Sequence, residues 1–374
     1  MTQTKRLRVA ILFGGRSAEH EVSIASAASV IRALDPAKYI AVPVGISKDG
    51  RWLVGEGAQK MLADTIRHGR HVLLPAEPGA SMLALDSRAS GATLSVDVVF
   101  PVLHGTYGED GTVQGLLELA NLPYVGCGVL SSALGMDKEV QKRLFEQAGL
   151  PVVKHYLVFR SRWENDSHAV IEEVGRSFRF PVFVKPATLG SSVGMTKAHN
   201  AAELGEGLRL AAQFAQKILV ERAVEGREIE VAVLGNEDPR ASTPGEIVPH
   251  REFYDYTAKY TEEGTRLIIP AEITARQAAK VQDYAVRAFR AIEGRGMARV
   301  DFFLERHSGR YYVNEVNTIP GFTSISMYPR MWEASGIGYR ELIDRLIKLA
   351  LEEHRQKQRT RFSIEPPKGG ALSE

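Results

Sequence analysis

The stretch "GMARVDFFLERHSGRYYVNEVN", Gly296 to Asn317, carries the residue types best suited to chemistry. Two β-rich runs flank His307-Ser308-Gly309, which reads as a three-residue hairpin loop with glycine where a left-handed backbone is wanted. In that register Arg306 faces Arg310, Asp301 stands opposite Glu315, and Arg299 opposite Asn317. Side chains alternate along a strand, so Arg299, Asp301, Glu315 and Asn317 share one face. Two carboxylates directly across a ladder repel each other, and a hard cation between them removes the conflict. Oxygen donors without His or Cys suit Mg²⁺ or Mn²⁺ rather than zinc. The competing reading is an exposed hairpin face whose charges are simply solvated.

Three further segments could join such a site. In "FVKPATLGSSVGM", Lys185 ends a strand and a Gly-Ser-Ser-x-Gly turn follows, offering backbone N–H groups and hydroxyls that could cradle phosphate. The turn lacks the GK[ST] ending of a P-loop and leads into a strand, so it would lie over phosphates as a flap; a plain Gly/Ser hairpin is the alternative. "ILVERAVEGREIEVAV" places Glu221 just inside one strand end and Glu228 at the start of the next, where glutamates usually only solubilise. "FYDYTAKYTEEGTR", from Phe253, crowds four aromatics among charged residues with neither a helical nor a strand period.

The flanking elements set the frame. "LRVAILFGG" followed by "EVSIASAASVIRAL" reads as a buried strand, a glycine turn and an amphipathic helix with Ile24, Ala28 and Ile31 on one face. "AVPVGIS" and "VDVVFPVLHG" are further strands and "TVQGLLELANLP" a helix, so the first 120 or so residues alternate as βαβ units of an open, mostly parallel sheet. Residues 55–92 show no clear period. A helix from about Lys138 stops at Gly149, with Pro151 behind it. "PVFVKP", "GMTKA", "ILVERAV" and "EIEVAVLG" then form a smaller α+β module with a capped helix beginning "NAAEL". A helix over about Ala275–Ile292, the hairpin and a closing helix "YRELIDRLIKLALEEH" complete the pattern.

Composition limits the partners. Among 374 residues, 47 basic and 45 acidic side chains leave a net charge of +2, too little to concentrate nucleic acid or coat an anionic membrane. A single cysteine, Cys127, excludes an intramolecular disulfide and a cysteine-cluster metal site, which fits a reducing compartment. No apolar run approaches the roughly 20 residues of a membrane span, and the N-terminus runs directly into a strand. A cytoplasmic protein is expected.

Taken in order, "GGRSAEHEVS", "LHGTYGEDGTVQG", "GMDK", "VKPATLGSSVGM", "ERAVEGREIEVAVLG", "FYDYTAKY" and "VNEVNTIPGFTSISMYP" resemble the ATP-grasp superfamily, and within it the D-alanine–D-alanine ligases, over nearly the whole chain. The resemblance implies three domains, over residues 1–137, 138–232 and 233–374, with ATP between the central and C-terminal sheets and a mobile loop near 253–266. It implies ligation of two D-alanines for peptidoglycan precursors, with ATP cleaved to ADP and phosphate, two Mg²⁺ or Mn²⁺ ions, and a homodimer. By the same resemblance Lys138, Lys185, Ser192, Phe253 and Lys259 serve ATP. Glu221 reads the adenine amino group beside the backbone of Arg222, Ala223 and Val224, and Glu228 reads the ribose. Asp301, Glu315 and Asn317 match the metal ligands, in agreement with the hairpin count. Glu19 would receive the first D-alanine's ammonium, steadied through Ser191 and Tyr260, with His104 near its carboxylate. Arg299 and the Gly321 N–H would hold the oxyanion, and Ser326 the second carboxylate, with Met327 beside it.

Three rivals share parts of this pattern. A D-alanine–D-lactate ligase is implied to replace the Lys-Tyr of the loop with a His-containing one, whereas Lys259 and Tyr260 are both present. Another ATP-grasp ligase, such as a glutathione synthetase, is disfavoured by "AEHEVS" and "GFTSISMYP". A catalytically silent nucleotide-binding regulator would be expected to have lost part of the set Asp301, Glu315 and Asn317.

Overall fold

Strand β1 (Leu7–Gly14) is apolar on both faces: Val9, Ile11 and Phe13 enter one core, Ala10 and Leu12 another. That is the pattern of a strand covered on both sides. The computed structural model describes residues 5–55, 62–79, 81–85, 93–190, 192–248 and 266–361. β1 pairs in parallel with β2 (Tyr39–Ile46) and β7 (Val98–Pro101), and α1 (His20–Ala33) lies against it.

The expected mostly parallel sheet is parallel only across these three strands. From β2 outward, β3 (Trp52–Val54), β4 (Arg70–Leu73), β5 (Ser81–Ala84) and β6 (Thr93–Ser95) continue it antiparallel, in the order β6-β5-β4-β3-β2-β1-β7. β4, β5 and α2 (Leu62–His68) fall within the stretch 55–92. Strands of three or four residues are too short to show a period of two, so this stretch carries no periodic signal. α3 (Thr112–Leu119) covers the second face through Val113 and Leu117, and α4 (Val129–Met136) follows.

The second sheet is antiparallel, with β8 (His155–Phe159), β9 (Val182–Pro186), β10 (Thr196–Ala198) and β11 (Lys217–Arg222) in the order β10-β9-β11-β8. Val182, Val184, Ile218 and Val220 point into a core shared with α6 (Arg160–Asn165), α7 (Ser167–Ser177) and α8 (Ala201–Ala211). The alternate residues Lys185 and Glu221 therefore take the opposite face. The Asn200 side chain caps α8 by accepting from the Glu203 N–H, as "NAAEL" foretells.

The third sheet runs β15-β14-β12-β16-β17, with β13 (Arg240–Ala241) beside β12. Its strands are β12 (Gly226–Leu234), β14 (Gly245–Val248), β15 (Arg266–Ile268), β16 (Met297–Glu305) and β17 (Tyr311–Asn317). A capping box between Thr274 and Gln277 starts α9 (Ala275–Ala291), which packs on one face with Phe145 of α5 (Lys138–Gln147). Two expected boundaries move accordingly. A division at 232 would cut β12, whose ladder with β16 begins at Gly226, so the change of sheet falls at 223–225. α5, expected to open the central domain, contributes its apolar side to the third sheet's core instead.

The other face of this sheet changes character along its length. At one end Ala232, Leu234 and Met297 join the core around β1, with α10 (Met327–Ala334) and α11 (Tyr339–Lys357). At the other end the same face carries Glu228, Glu230, Arg299 and Asp301. Fully buried Phe322 meets Phe100 and Tyr328 at ring-centroid distances of 5.7 and 5.4 Å and fixes the loop after β17; burying such a ring contributes about 2–3 kcal/mol. No described helix is long and apolar enough to cross a membrane.

Candidate active site

The β16–β17 ladder pairs Asp301 with Glu315 and Arg299 with Asn317, as the hairpin count expects. The route to that register differs. Near the turn Leu304 pairs with Tyr311 and the Glu305 N–H donates to the Arg310 carbonyl, so the loop is one residue longer than His307-Ser308-Gly309 and Arg306 does not face Arg310. An irregularity between Asp301 and Phe302 then leaves Asn314 as an extra residue on β17, and the two departures cancel.

The carboxylates on this face are held by cations of the chain itself. Arg299 grips Asp301 with two hydrogen bonds, Nε to Oδ1 and Nη2 to Oδ2, both 2.7 Å, and its Nε lies 3.1 Å from Glu230 Oε2. Asn317 Nδ2 donates to Asp301 Oδ2 at 2.9 Å. Burial works against the guanidinium charge, but Asp301 and Glu230 outweigh it and hold Arg299 well above its usual range. Glu315 meets Lys138, with Nζ 2.8 Å from Oε2. Two carboxylates paired across one ladder, with the Asn317 amide beside Asp301, are a donor set a hard divalent cation fits.

α5 supplies the cations from behind. Asp137 caps it by accepting from the Glu139 and Val140 N–H groups, which places Lys138 at the first helical position. Lys138 Nζ also donates to the Leu189 carbonyl at 2.9 Å. One turn on, Lys142 is fully buried, its Nζ 2.9 Å from Glu221 Oε1 in an ion pair without the angle of a directed hydrogen bond. Lys185 Nζ lies 2.7 Å from the other oxygen, Glu221 Oε2, and 3.4 Å from Asn314 Oδ1, bridging the second and third sheets. Burial would raise the Glu221 carboxyl, but Lys142 and Lys185 overcome it and hold it at about 2. Burial lowers Lys185 from the ordinary lysine range. Both Glu221 oxygens are thus engaged by lysines. Arg222, half-buried beside it, pairs with Glu305 at 2.8 Å and stacks on Tyr312, while Ala223 and Val224 continue the half-buried link to Glu228 on β12.

A third group of residues closes the cleft from the first sheet. Glu19, the N-cap residue of α1, points its carboxylate at Gly105 and Gly190, where a Cβ would stand 2.9 and 3.5 Å from Oε2. It therefore meets the Gly-Ser-Ser turn. Within that turn Ser192 adopts φ +58°, and Gly194 at φ +71° packs so tightly on Phe214 that a Cβ would come within 2.7 Å of the ring. Buried His104 donates from Nδ1 to the Ile319 carbonyl at 3.0 Å and accepts at Nε2 from the Ser26 hydroxyl at 3.3 Å; Ser26 Oγ in turn accepts from the Phe322 N–H at 3.3 Å. Burial lowers His104, which keeps it neutral. Gly321 leaves room for Ser326, whose Oγ would be 3.0 Å from a Cβ there and instead accepts from the Thr323 N–H at 3.1 Å. Met327, beside Ser326, is buried in the core against Gly245, a position from which it acts on the cleft through packing.

Ser191, Phe253, Lys259 and Tyr260 lie outside the described residues. Three charged residues absent from the sequence expectations belong to the site. Lys142 and Glu230 are described above, and Glu109 accepts from the N–H groups of Gly105 at 2.7 Å and Ile319 at 3.3 Å. Burial and neighbouring Glu19 push Glu109 up to about 8 against those two donors. Glu230 was signalled only by its two-residue spacing from Glu228; for the others no local signal distinguishes them from surface charge. Together the cleft offers Lys138 and Lys185 around two carboxylates at one end, with Lys142 buried behind them, and a guanidinium, a neutral imidazole and small-residue turns at the other. Such a site can hold a polyanion beside a small zwitterion and stabilise charge that develops between them.

Comparison with known proteins accords with this geometry. The family model described as the D-ala D-ala ligase N-terminus matches residues 8–127, and that of the D-ala D-ala ligase C-terminus matches 144–348. The D-alanine–D-alanine ligase of Heliobacterium modesticaldum is 50% identical over 356 residues, covering 94% of this chain and 96% of its own; that of Solibacter usitatus is 51% identical over 358, covering 96% and 99%. The solved D-alanine–D-alanine ligase from Coxiella burnetii superimposes with a TM-score of 0.82 at 36% identity, covering 95% of this chain and 97% of that one. The VanG D-Ala:D-Ser ligase from Enterococcus faecalis does so with 0.83 at 37%, covering 92% and 100%. The chain belongs to the D-alanine–D-alanine ligase family.

Proposed function

We propose that the chain joins two D-alanines into D-alanyl-D-alanine at the expense of ATP, for peptidoglycan precursors in the cytoplasm. The observation that carries the reading is the convergence of Lys138, Lys142 and Lys185 on Glu221 and Glu315, with Arg299 and Asp301 beside them and Glu19 facing the Gly-Ser-Ser turn. A carboxylate is a poor electrophile. Its oxygen first attacks the γ-phosphorus, ADP leaves, and an acyl phosphate forms. The deprotonated amine of the second D-alanine then attacks the acyl carbon, and phosphate departs from the tetrahedral intermediate.

The chain's own groups divide the work. Lys138 and Lys185 offset repulsion between the anionic carboxylate and the phosphates, with Ser192 in the turn above them. Glu19 receives the first ammonium, and neutral His104 lies near the first carboxylate. Arg299 and the Gly321 N–H hold the oxyanion, and Ser326 the second carboxylate; loss of one such contact costs ~10²-fold or more in rate. Asp301, Glu315 and Asn317 would hold Mg²⁺ or Mn²⁺, which when bound supplies charge neutralisation to the transferring phosphoryl group. Ser191, Phe253, Lys259 and Tyr260 keep the roles their segments imply, and Lys259-Tyr260 favours amide over ester formation. A homodimer is the proposed assembly.

The test is phosphate release from ATP with D-alanine, L-alanine, D-serine, D-lactate or no acceptor, each product identified by mass. Dipeptide from D-alanine is expected. If D-alanine yields none while another acceptor is consumed, the proposal fails.

A further inference from the structure

Lys142 is assigned no contact with nucleotide or substrate above, and its side chain is fully withdrawn from solvent with Nζ 2.9 Å from Glu221 Oε1. A lysine desolvated to that degree requires a counter-ion, and one removed from the surface cannot serve solubility. Its position on α5 defines the rest. Lys138 and Lys142 are four residues apart on one helical face, the first paired with Glu315 of the third sheet and the second with Glu221 of the second sheet. The two cations nearest the cleft keep some access to it: the side chains of Lys138 and Lys185 are 13% and 9% exposed, against 0% for Lys142.

Glu221 is therefore shared between a cation that can move toward a polyanion and one that cannot. When phosphates draw Lys185 away, a buried carboxylate left without any cation would oppose the transfer, both by its own desolvation and by holding Lys185 back. We propose that Lys142 is a positioning residue for the nucleotide, a permanent counter-ion that keeps Glu221 satisfied and so releases Lys185 to the phosphates. The proposal rests on the functional reading above and adds a residue that never touches the nucleotide.

The test compares Mg·ADP binding by calorimetry and steady-state kinetics for wild type, Lys142→Met, Glu221→Gln and the double variant. Lys142→Met is expected to weaken ADP binding and raise KM for ATP by roughly tenfold or more, with KM for D-alanine within about twofold of wild type. In the Glu221→Gln background the same replacement should change ADP affinity by no more than about twofold, because the carboxylate it serves is gone. Unchanged nucleotide affinity in Lys142→Met, or full multiplication of the two effects, would overturn the proposal. Should Lys142→Met not fold, Lys142→Met/Glu221→Met removes both buried charges; it must then bind ADP within about twofold of Glu221→Met alone, and a further tenfold loss overturns the idea. Failure of the wild type itself to bind ADP would instead sink the functional reading.

Discussion

Lys138 and Glu315 meet at 2.8 Å, so a cation suited to phosphate and a carboxylate suited to a metal neutralise each other across the boundary between α5 and β17. Burial opposes the lysine's charge, yet Glu315 overrides it and raises Lys138 above its ordinary range. Nucleotide and metal must both exchange against this pair. Lys138→Met is accordingly expected to raise KM for ATP by about tenfold or more while leaving KM for D-alanine nearly unchanged, since a charge-assisted phosphate contact is lost. Initial rates at varied ATP and D-alanine decide it; equal changes in both constants would contradict the assignment.

Asp301→Asn and Glu315→Gln should each lose most Mg²⁺-dependent turnover, ~10²-fold or more, with the fold retained. The fold survives because Arg299 keeps Glu230 and Lys138 keeps the Leu189 carbonyl. Turnover measured over a Mg²⁺ titration, beside circular dichroism, provides the check. Near-normal activity in either variant would remove that residue from the metal set.

Ser26 links His104 to the Phe322 N–H. Ser26→Ala leaves both without that partner in a buried setting, which costs about 1–3 kcal/mol of stability. The loop bearing Gly321 should loosen with it, so kcat falls more than KM for ATP rises. Denaturant midpoints and kinetics on one preparation test both halves; unaltered stability would mean that water or a repacked neighbour replaces the hydroxyl.

Glu221 provides a pH prediction. Its folded-state value of about 2 lies below the ordinary 4.5, so the unfolded chain binds the extra proton first. The stability this contributes is fully present above about pH 4.5 and is lost as pH falls toward 2. Glu221→Gln should be less stable at neutral pH but show a shallower decline across that window. Parallel declines for the two proteins, measured by chemical denaturation between pH 5 and 3, would refute the linkage.

Most of the frame was legible because strong periodic signals act locally. The doubly covered β1 and the Asn200 cap each follow from local sequence alone. The antiparallel extension of the first sheet was not, because β4 and β6 expose most of their few residues. Nor were Lys142, Glu230 and Glu109, whose identities match those of surface charges. Only tertiary packing decides that a charge on α5 or β12 is buried and must find a partner. The loop between Glu305 and Arg310 shows a third case: its expected length was wrong by one residue, yet the functional pair came out right.

Asn314 stands between Val313, which faces the core opposite Phe302, and Glu315, which faces the cleft opposite Asp301. Remove it and the alternation on both sides still matches the neighbouring strand. Asn314 is thus an insertion that re-sorts no other side chain, and what it adds is a partner for Lys185. A chain lacking Asn314 should keep its paired carboxylates and lose the Lys185–Asn314 contact, while Arg222 and Glu305 still join the second sheet to the third.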